Sequence, residues 1–269
     1  MTLRRFAVLF LLSSISVLSA ANALKPGKAE LQSAGVLAFG PDGILFVGDS
    51  KAGAVWALDT GDRTPNAAAK SVDIHAANEK IAALLGSTPD QILIQDIAVN
   101  PLSKRVYLSV SRGRGPDGMP VILRTDASGR FEQVALDNVK HSRADLPNLP
   151  DPGLRDRRGQ SPRMEAITDL AFVNGKVYVA GLSNEEFASN LRAIKFPFAE
   201  VDKGASVEIY HGAHGSFETN SPVRTFVAYG TKQNPYLLAA YTCTPLVKFP
   251  VSALKPGTKV VGTTIAELG

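Results

Sequence analysis

One layout recurs along this chain, and it limits the possible folds more than any single motif. It is a short apolar strand, a polar turn, and a second strand rich in β-branched or aromatic residues. The first copy runs Val36-Leu37-Ala38-Phe39, Gly40-Pro41-Asp42-Gly43, Ile44 to Gly48. The second runs Asp96-Ile97-Ala98-Val99, Asn100 to Arg105, Val106 to Val110. The third runs Asp169-Leu170-Ala171-Phe172, Val173 to Lys176, Val177 to Gly181. A looser fourth joins Thr225–Tyr229 to Tyr236–Tyr241. Two further strand-like segments follow each pair: Ala54–Leu58 and Lys70–Ile74, Val121–Thr125 and Phe131–Ala135, Asn190–Ile194 and Ser206–Tyr210, Leu246–Pro250 and Lys259–Thr263. Four strands per repeat, four repeats and no alternating helices predict an all-β chain of about four four-stranded propeller blades. Their bounds are approximately 36–74, 96–135, 169–210 and 225–264. A β-sandwich accounts for the alternation of strands but not for their grouping in fours.

The repeats start further apart than the 40–45 or so residues of a WD-type blade, so they carry insertions. Ala76–Leu85 is rich in helix formers and is followed by Gly86, which predicts one short helix. Asp137–Pro162 is rich in Pro, Asp and Arg, and predicts a long irregular connection. Four blades can close a ring, but related propellers usually have more. An open arc, or a C-terminally shortened copy of a larger propeller, is therefore also expected.

The amino terminus reads as a signal peptide spanning residues 1–23. Arg4 and Arg5 precede the apolar run Phe6–Leu18, and Ala21-Asn22-Ala23 offers the small residues of a cleavage site. An uncleaved anchor is the alternative. Removing residues 1–23 takes the formal charge from +4 to +2 and leaves 24–269 as the propeller domain, with no later stretch suited to spanning a membrane. The expected location is the periplasm or the cell exterior. With 45% hydrophobic and 20% charged residues, a disordered chain is excluded. The weak positive charge and the lack of any dense Lys/Arg run argue against a nucleic-acid partner. The one cysteine, Cys243, cannot form an intramolecular disulfide and has no neighbouring His or Lys to activate it.

Phe39-Gly40-Pro41-Asp42-Gly43-Ile44-Leu45-Phe46-Val47-Gly48-Asp49-Ser50, continued by Gly53–Asp59, resembles the strand–turn–strand core of NHL-type and gluconolactonase (senescence-marker)-like propellers. The resemblance implies a propeller fold. For the lactonase-like members it also implies a metal-assisted hydrolase. Those members carry an acidic residue in a Glu-Gly-Pro motif before the first inner strand, where this chain reads Gln32-Ser33-Ala34-Gly35-Val36. One expected metal ligand is therefore missing. Quinoprotein propellers are a second neighbourhood, but their cofactor residues have no match here.

Residues at the start of a propeller's inner strands face the central channel. Asp96, Asp169 and Thr225 align there, with Gln95, Thr168 and Arg224 one position earlier and Glu165 just upstream. Asp96, Asp169, Glu165 and Arg224 are thus the candidate ligand-binding set, suited to a polar ligand or a divalent cation such as calcium. Their alternative role is to cap turns between blades. His211 and His214, with Glu218, have a spacing able to hold zinc, in a Gly-flanked loop. Gly48–Gly53 lacks the Lys-Ser/Thr of a phosphate loop, Arg112–Gly118 joins two strands with no helix after it and its Arg112 and Arg114 are suited to an anionic ligand, and no Gly-x-Ser-x-Gly elbow occurs. The expectation leans away from an enzyme. It favours a binding protein whose partner is a small molecule or another protein, with a metal-dependent hydrolase as the alternative.

Overall fold

A computed structural model describes residues 23–66, 73–126, 128–185, 188–211, 215–218, 221–241 and 245–267. The proposed signal peptide (apart from Ala23), His214 and Cys243 lie outside them, as does most of the strand expected at Lys70–Ile74. Among the described residues, no helix is long and apolar enough to cross a membrane.

In chain order the elements are β1 (Lys25–Gly27), β2 (Leu37–Phe39), β3 (Ile44–Asp49), β4 (Ala54–Asp59), α1 (Ala77–Leu85), β5 (Ile92–Val99), β6 (Val106–Arg112), β7 (Met119–Thr125), β8 (Phe131–Gln133) and β9 (Val139–Asp145). They continue as β10 (Asp169–Val173), β11 (Lys176–Leu182), β12 (Ser189–Lys195), β13 (Ala205–His211), β14 (Ser216–Glu218), β15 (Val223–Gly230), β16 (Pro235–Tyr241), β17 (Pro245–Pro250), β18 (Lys259–Val261) and β19 (Thr263–Glu267). The architecture is a β-propeller of four blades, each built on a four-stranded antiparallel sheet. The second blade is β5-β6-β7-β8 and the fourth is β15-β16-β17-β19. The third is β10 to β13, extended by β14 and by β18, which runs parallel to β13.

Two outer strands differ from the sequence expectation. The first blade is completed by β9, paired antiparallel to β4, with β1 added outside it. That strand comes from the stretch expected to be irregular. Only Val139 and Ala144 in it are buried and apolar, so its sequence carries almost no period-two signal. The second blade is therefore an excursion from the first, leaving after β4 and returning at β9. In the fourth blade, the segment expected as its fourth strand divides. Lys259–Val261 crosses to the third blade as β18, and Thr263–Glu267 pairs with β17 as β19. The short helix lies where expected, and Gly86 ends it in a left-handed conformation (φ 59°).

The inner strands β5, β2, β10 and β15 pack in that spatial order, so the first blade sits between the second and the third. Alternate residues of an inner strand face opposite neighbours. Val36 and Ala38 pack into the core shared with Leu170 and Phe172 of the third blade. Leu37 and Phe39 pack into the core shared with Tyr107 and Ala98 of the second. Ala171 and Val173 face the fourth blade, where Phe226 meets them. The fourth core layer lies under α1, whose Ile81 and Ala82 cover β6 and β7. At the far end of the strands, Asp62 ties the first two blades together. Its Oδ2 accepts Ser103 Oγ at 2.6 Å, Tyr107 Oη at 3.0 Å and Asn100 Nδ2 at 3.1 Å.

Candidate functional site

The starts of the four inner strands form one end of the molecule, joined there by the β3–β4 and β6–β7 hairpins. Gly35, Gln95, Thr168 and Arg224 occupy equivalent places, each just before the aligned inner-strand residue. A register shift at Ile94/Asp96 sets Gln95 in a bulge, and another at Val223/Thr225 does the same for Arg224. A bulged residue leaves the ladder and is re-aimed. This is how two polar side chains reach the end surface from strands that otherwise pack against neighbours.

Asp96 and Asp169 are placed side by side with this layer, and both are committed to the scaffold. Asp96 Oδ2 accepts the Leu37 N–H of the first blade at 2.7 Å, and its Oδ1 accepts the Ile97 N–H at 2.8 Å. Asp169 repeats the pattern one junction along, accepting the Phe226 N–H at 2.7 Å and the Leu170 N–H at 2.7 Å. Burial pushes the Asp169 carboxyl above the ordinary aspartate range. The Phe226 N–H, the Thr225 hydroxyl and the Leu170 N–H oppose that rise, while the charge of Asp96 adds to it. These two carboxylates pin blade to blade, the turn-capping alternative raised by their position.

Glu165 and Arg224 are brought together: Arg224 Nη2 lies 2.6 Å from Glu165 Oε1, with both side chains partly exposed. Glu165 ends a short 3-10 turn, Pro162–Glu165, lying against β11. Gly181 of β11 makes that approach possible, because a Cβ there would fall 2.0 Å from the Ala166 carbonyl oxygen. His211 ends β13 opposite Ser216, and Glu218 ends β14 opposite Ile209. With His214 outside the described residues, that trio has no described geometry. Among the described residues, no three His, Cys, Asp or Glu side chains gather closely enough to hold a metal ion. Arg112 and Arg114 turn back onto their own blade, donating to the carbonyls of Gly86 and Asp90.

One cleft of this end lies between the first two blades, with Met164 and Ile167 of the segment before β10 beside it. It is a cleft of about 240 Å³, with Ser33, Lys51, Gln95 and Ser111 supplying polar groups and Val36 and Met164 apolar walls. A carboxylate that the sequence reading passed over builds its rim. Asp49, fully buried at the end of β3, accepts the N–H groups of Gln32 (2.8 Å), Ser33 (2.9 Å) and Ala52 (3.0 Å) and the Ser33 hydroxyl (2.7 Å). Ser33 Oγ in turn accepts the Lys51 N–H at 3.1 Å. Lys51 Nζ reaches across to the Pro116 carbonyl of the second blade, closing the cleft's outer side.

No protein-family model matches the chain, and no curated protein matches it. Among solved structures it is similar to the PQQ-bound aldose sugar dehydrogenase of Streptomyces coelicolor, at 11% identity and TM-score 0.28, over 91% of this chain and 84% of that one. It is also similar to an oxidoreductase described as a glucose dehydrogenase from Thermus thermophilus (14% identity, TM-score 0.23, 89% and 67%). A third is a streptogramin B lyase (10% identity, TM-score 0.24, 84% and 72%). At these TM-scores the propeller assignment rests on the sheets of this chain itself, and the site has to be read from its own residues.

Those residues give the cleft a definite polarity. Lys51 is its one charged lining side chain among the described residues, and the remaining polar groups are hydroxyls, an amide and backbone. Asp96 and Asp169 do not line it. A cation finds no carboxylate there, whereas a carbonyl, hydroxyl or anionic group finds donors.

Proposed function

We propose that the protein is a binding protein whose cleft between the first and second blades takes a small polar ligand, with a neutral or anionic group directed at Lys51. The observation that carries this reading is the composition of the cleft: one ammonium, hydroxyls and an amide on a rim that Asp49 fixes through four hydrogen bonds. A rim held this way is preorganised, so little ordering cost opposes binding. Asp96 and Asp169 serve as junction posts in this reading, not as ligands to substrate or metal.

The test is a calorimetric and thermal-shift titration of the purified full chain with small carboxylates, inorganic phosphate and neutral aldoses. At least one anionic or hydroxyl-rich probe is expected to bind wild type. Lys51→Met is expected to weaken an anionic probe about tenfold or more, the loss of one charge-assisted hydrogen bond. Gln95→Ala is expected to weaken it less. If no probe binds, or if binding survives both substitutions unchanged, the cleft is not the site.

A further inference from the structure

The four inner strands obey one packing rule, and the rule leaves two surfaces unmet. At each junction, the residues aligned with Val36 and Ala38 on one strand face the residues aligned with Leu37 and Phe39 on the next. Asp96 and Ala98 face Leu37 and Phe39. Val36 and Ala38 face Leu170 and Phe172. Asp169 and Ala171 face Phe226. The row left over on β15 is Val227, with Tyr229 beyond, while Thr225 ahead of them turns its hydroxyl to Asp169. The row left over on β5 is Ile97 and Val99. Packing of comparable extent does not join β15 to β5 within the chain. Accordingly, Val227 is 58%, Tyr229 63%, Ile97 61% and Val99 53% exposed, although the equivalent residues of β2 and β10 are covered.

The hydrogen bonds at the three existing junctions indicate what kind of strand each open row is suited to meet. The junctions alternate between two kinds. Where the first partner carries Asp, its carboxylate reaches the neighbour's N–H, as at β5–β2 and β10–β15. Where it does not, as at β2–β10, the neighbour's own aspartate satisfies that N–H, and Asp169 bonds Leu170. The next junction in the series is again of the second kind. Thr225 replaces Asp on β15, and on β5 the Ile97 N–H is already taken by its own Asp96. β15 is thus built to precede a strand such as β5. The helix α1 lies over β6 and β7 in the fourth core layer, while Ile97 and Val99 of β5 stay exposed, which places the contact on the inner strands.

We propose that a second copy of this chain covers both rows, β15 of each copy packing on β5 of the other. Head-to-tail contacts close when the rotation returns to the start. Two four-bladed arcs then give an eight-bladed ring, within the usual range of about four to eight. Each dimer buries the Ile97/Val99 row twice, once at each junction.

The oligomeric state of the full chain in solution tests this, read by light scattering coupled to size exclusion and by native mass spectrometry. Wild type is expected at twice the chain mass. Ile97→Asp and Val227→Lys, each at an exposed position, are expected to keep their circular dichroism and to run as monomers, with dissociation constants raised about a hundredfold or more. Mixing the two variants is the decisive arm. Their heterodimer has one Asp–Lys junction and one wild-type junction, so dimer mass is expected to return. A monomeric wild type overturns the proposal, and so does a dimer indifferent to both substitutions. Variants that dissociate but do not complement each other overturn the head-to-tail arrangement.

Discussion

Asp96 and Asp169 show how the same residue in the same repeat position can look like a ligand and act as a joint. Each uses both oxygens on backbone N–H groups, one on its own strand and one on the next. Asp169→Asn keeps the shape but sets an amide donor against one of those N–H groups. It is expected to cost about 1–3 kcal/mol at pH 7, the penalty of a buried donor left unmet. The loss should also depend on pH in a defined direction. Burial raises the Asp169 carboxyl in the folded state, so the folded chain holds that proton more tightly than the unfolded one. Its contribution to stability therefore grows as pH falls through the raised value toward the ordinary aspartate value of about 3.9, and is lost as pH rises. In urea unfolding of wild type and Asp169→Asn between pH 7 and pH 4, the gap between the two should widen toward acid. A gap that narrows would show that Asp169 is not the group held up by burial.

At the scale of elements, Gly181 links the third blade to the end surface. The short turn that carries Glu165 to Arg224 lies so close over β11 that a methyl group at Gly181 would strike the Ala166 backbone. Gly181→Ala is expected to lower stability by about 1–3 kcal/mol through overpacking. The same shift should separate the Glu165–Arg224 pair, so a further Glu165→Gln change should cost less in the Gly181→Ala background than alone, which a double-mutant cycle reads directly. The strand cores, the helix and its glycine stop were legible from period and turn chemistry, because those residues are buried on alternating faces. The outer strands were less so. β9 pairs through its backbone with few apolar residues, and β18 and β19 come from one short run that serves two sheets. Of the candidate residues, Glu165 and Arg224 pair with each other at 2.6 Å, a contact their positions in the repeat did not announce, and Gln95 lines the end cleft. The role of Asp49 was hidden because it gathers N–H groups from the segment before β2 and from its own hairpin, and that of Lys51 because the hairpin meets the second blade, contacts that no local pattern records.

For the whole molecule, the arc of four blades sets a problem in surface chemistry: two inner strands present rows of Ile, Val and Tyr that their equivalents bury. Exposed apolar rows at unpaired sheet faces favour association, and here the partner's shape is set by the repeat itself. If the partner is a second copy, folding and association are coupled, because only the folded arc offers the rows. The melting temperature must then depend on protein concentration. Each tenfold dilution lowers the free-energy advantage of the dimer by about 1.4 kcal/mol, half of that per chain. For chains of this size, that predicts a fall of about 1–3 °C per tenfold dilution. Ile97→Asp and Val227→Lys, melting as monomers, should show no such dependence, and their equimolar mixture should regain it. Wild-type melting that stays constant across a hundredfold range of concentration would mean that the open rows are not closed by another copy of the chain.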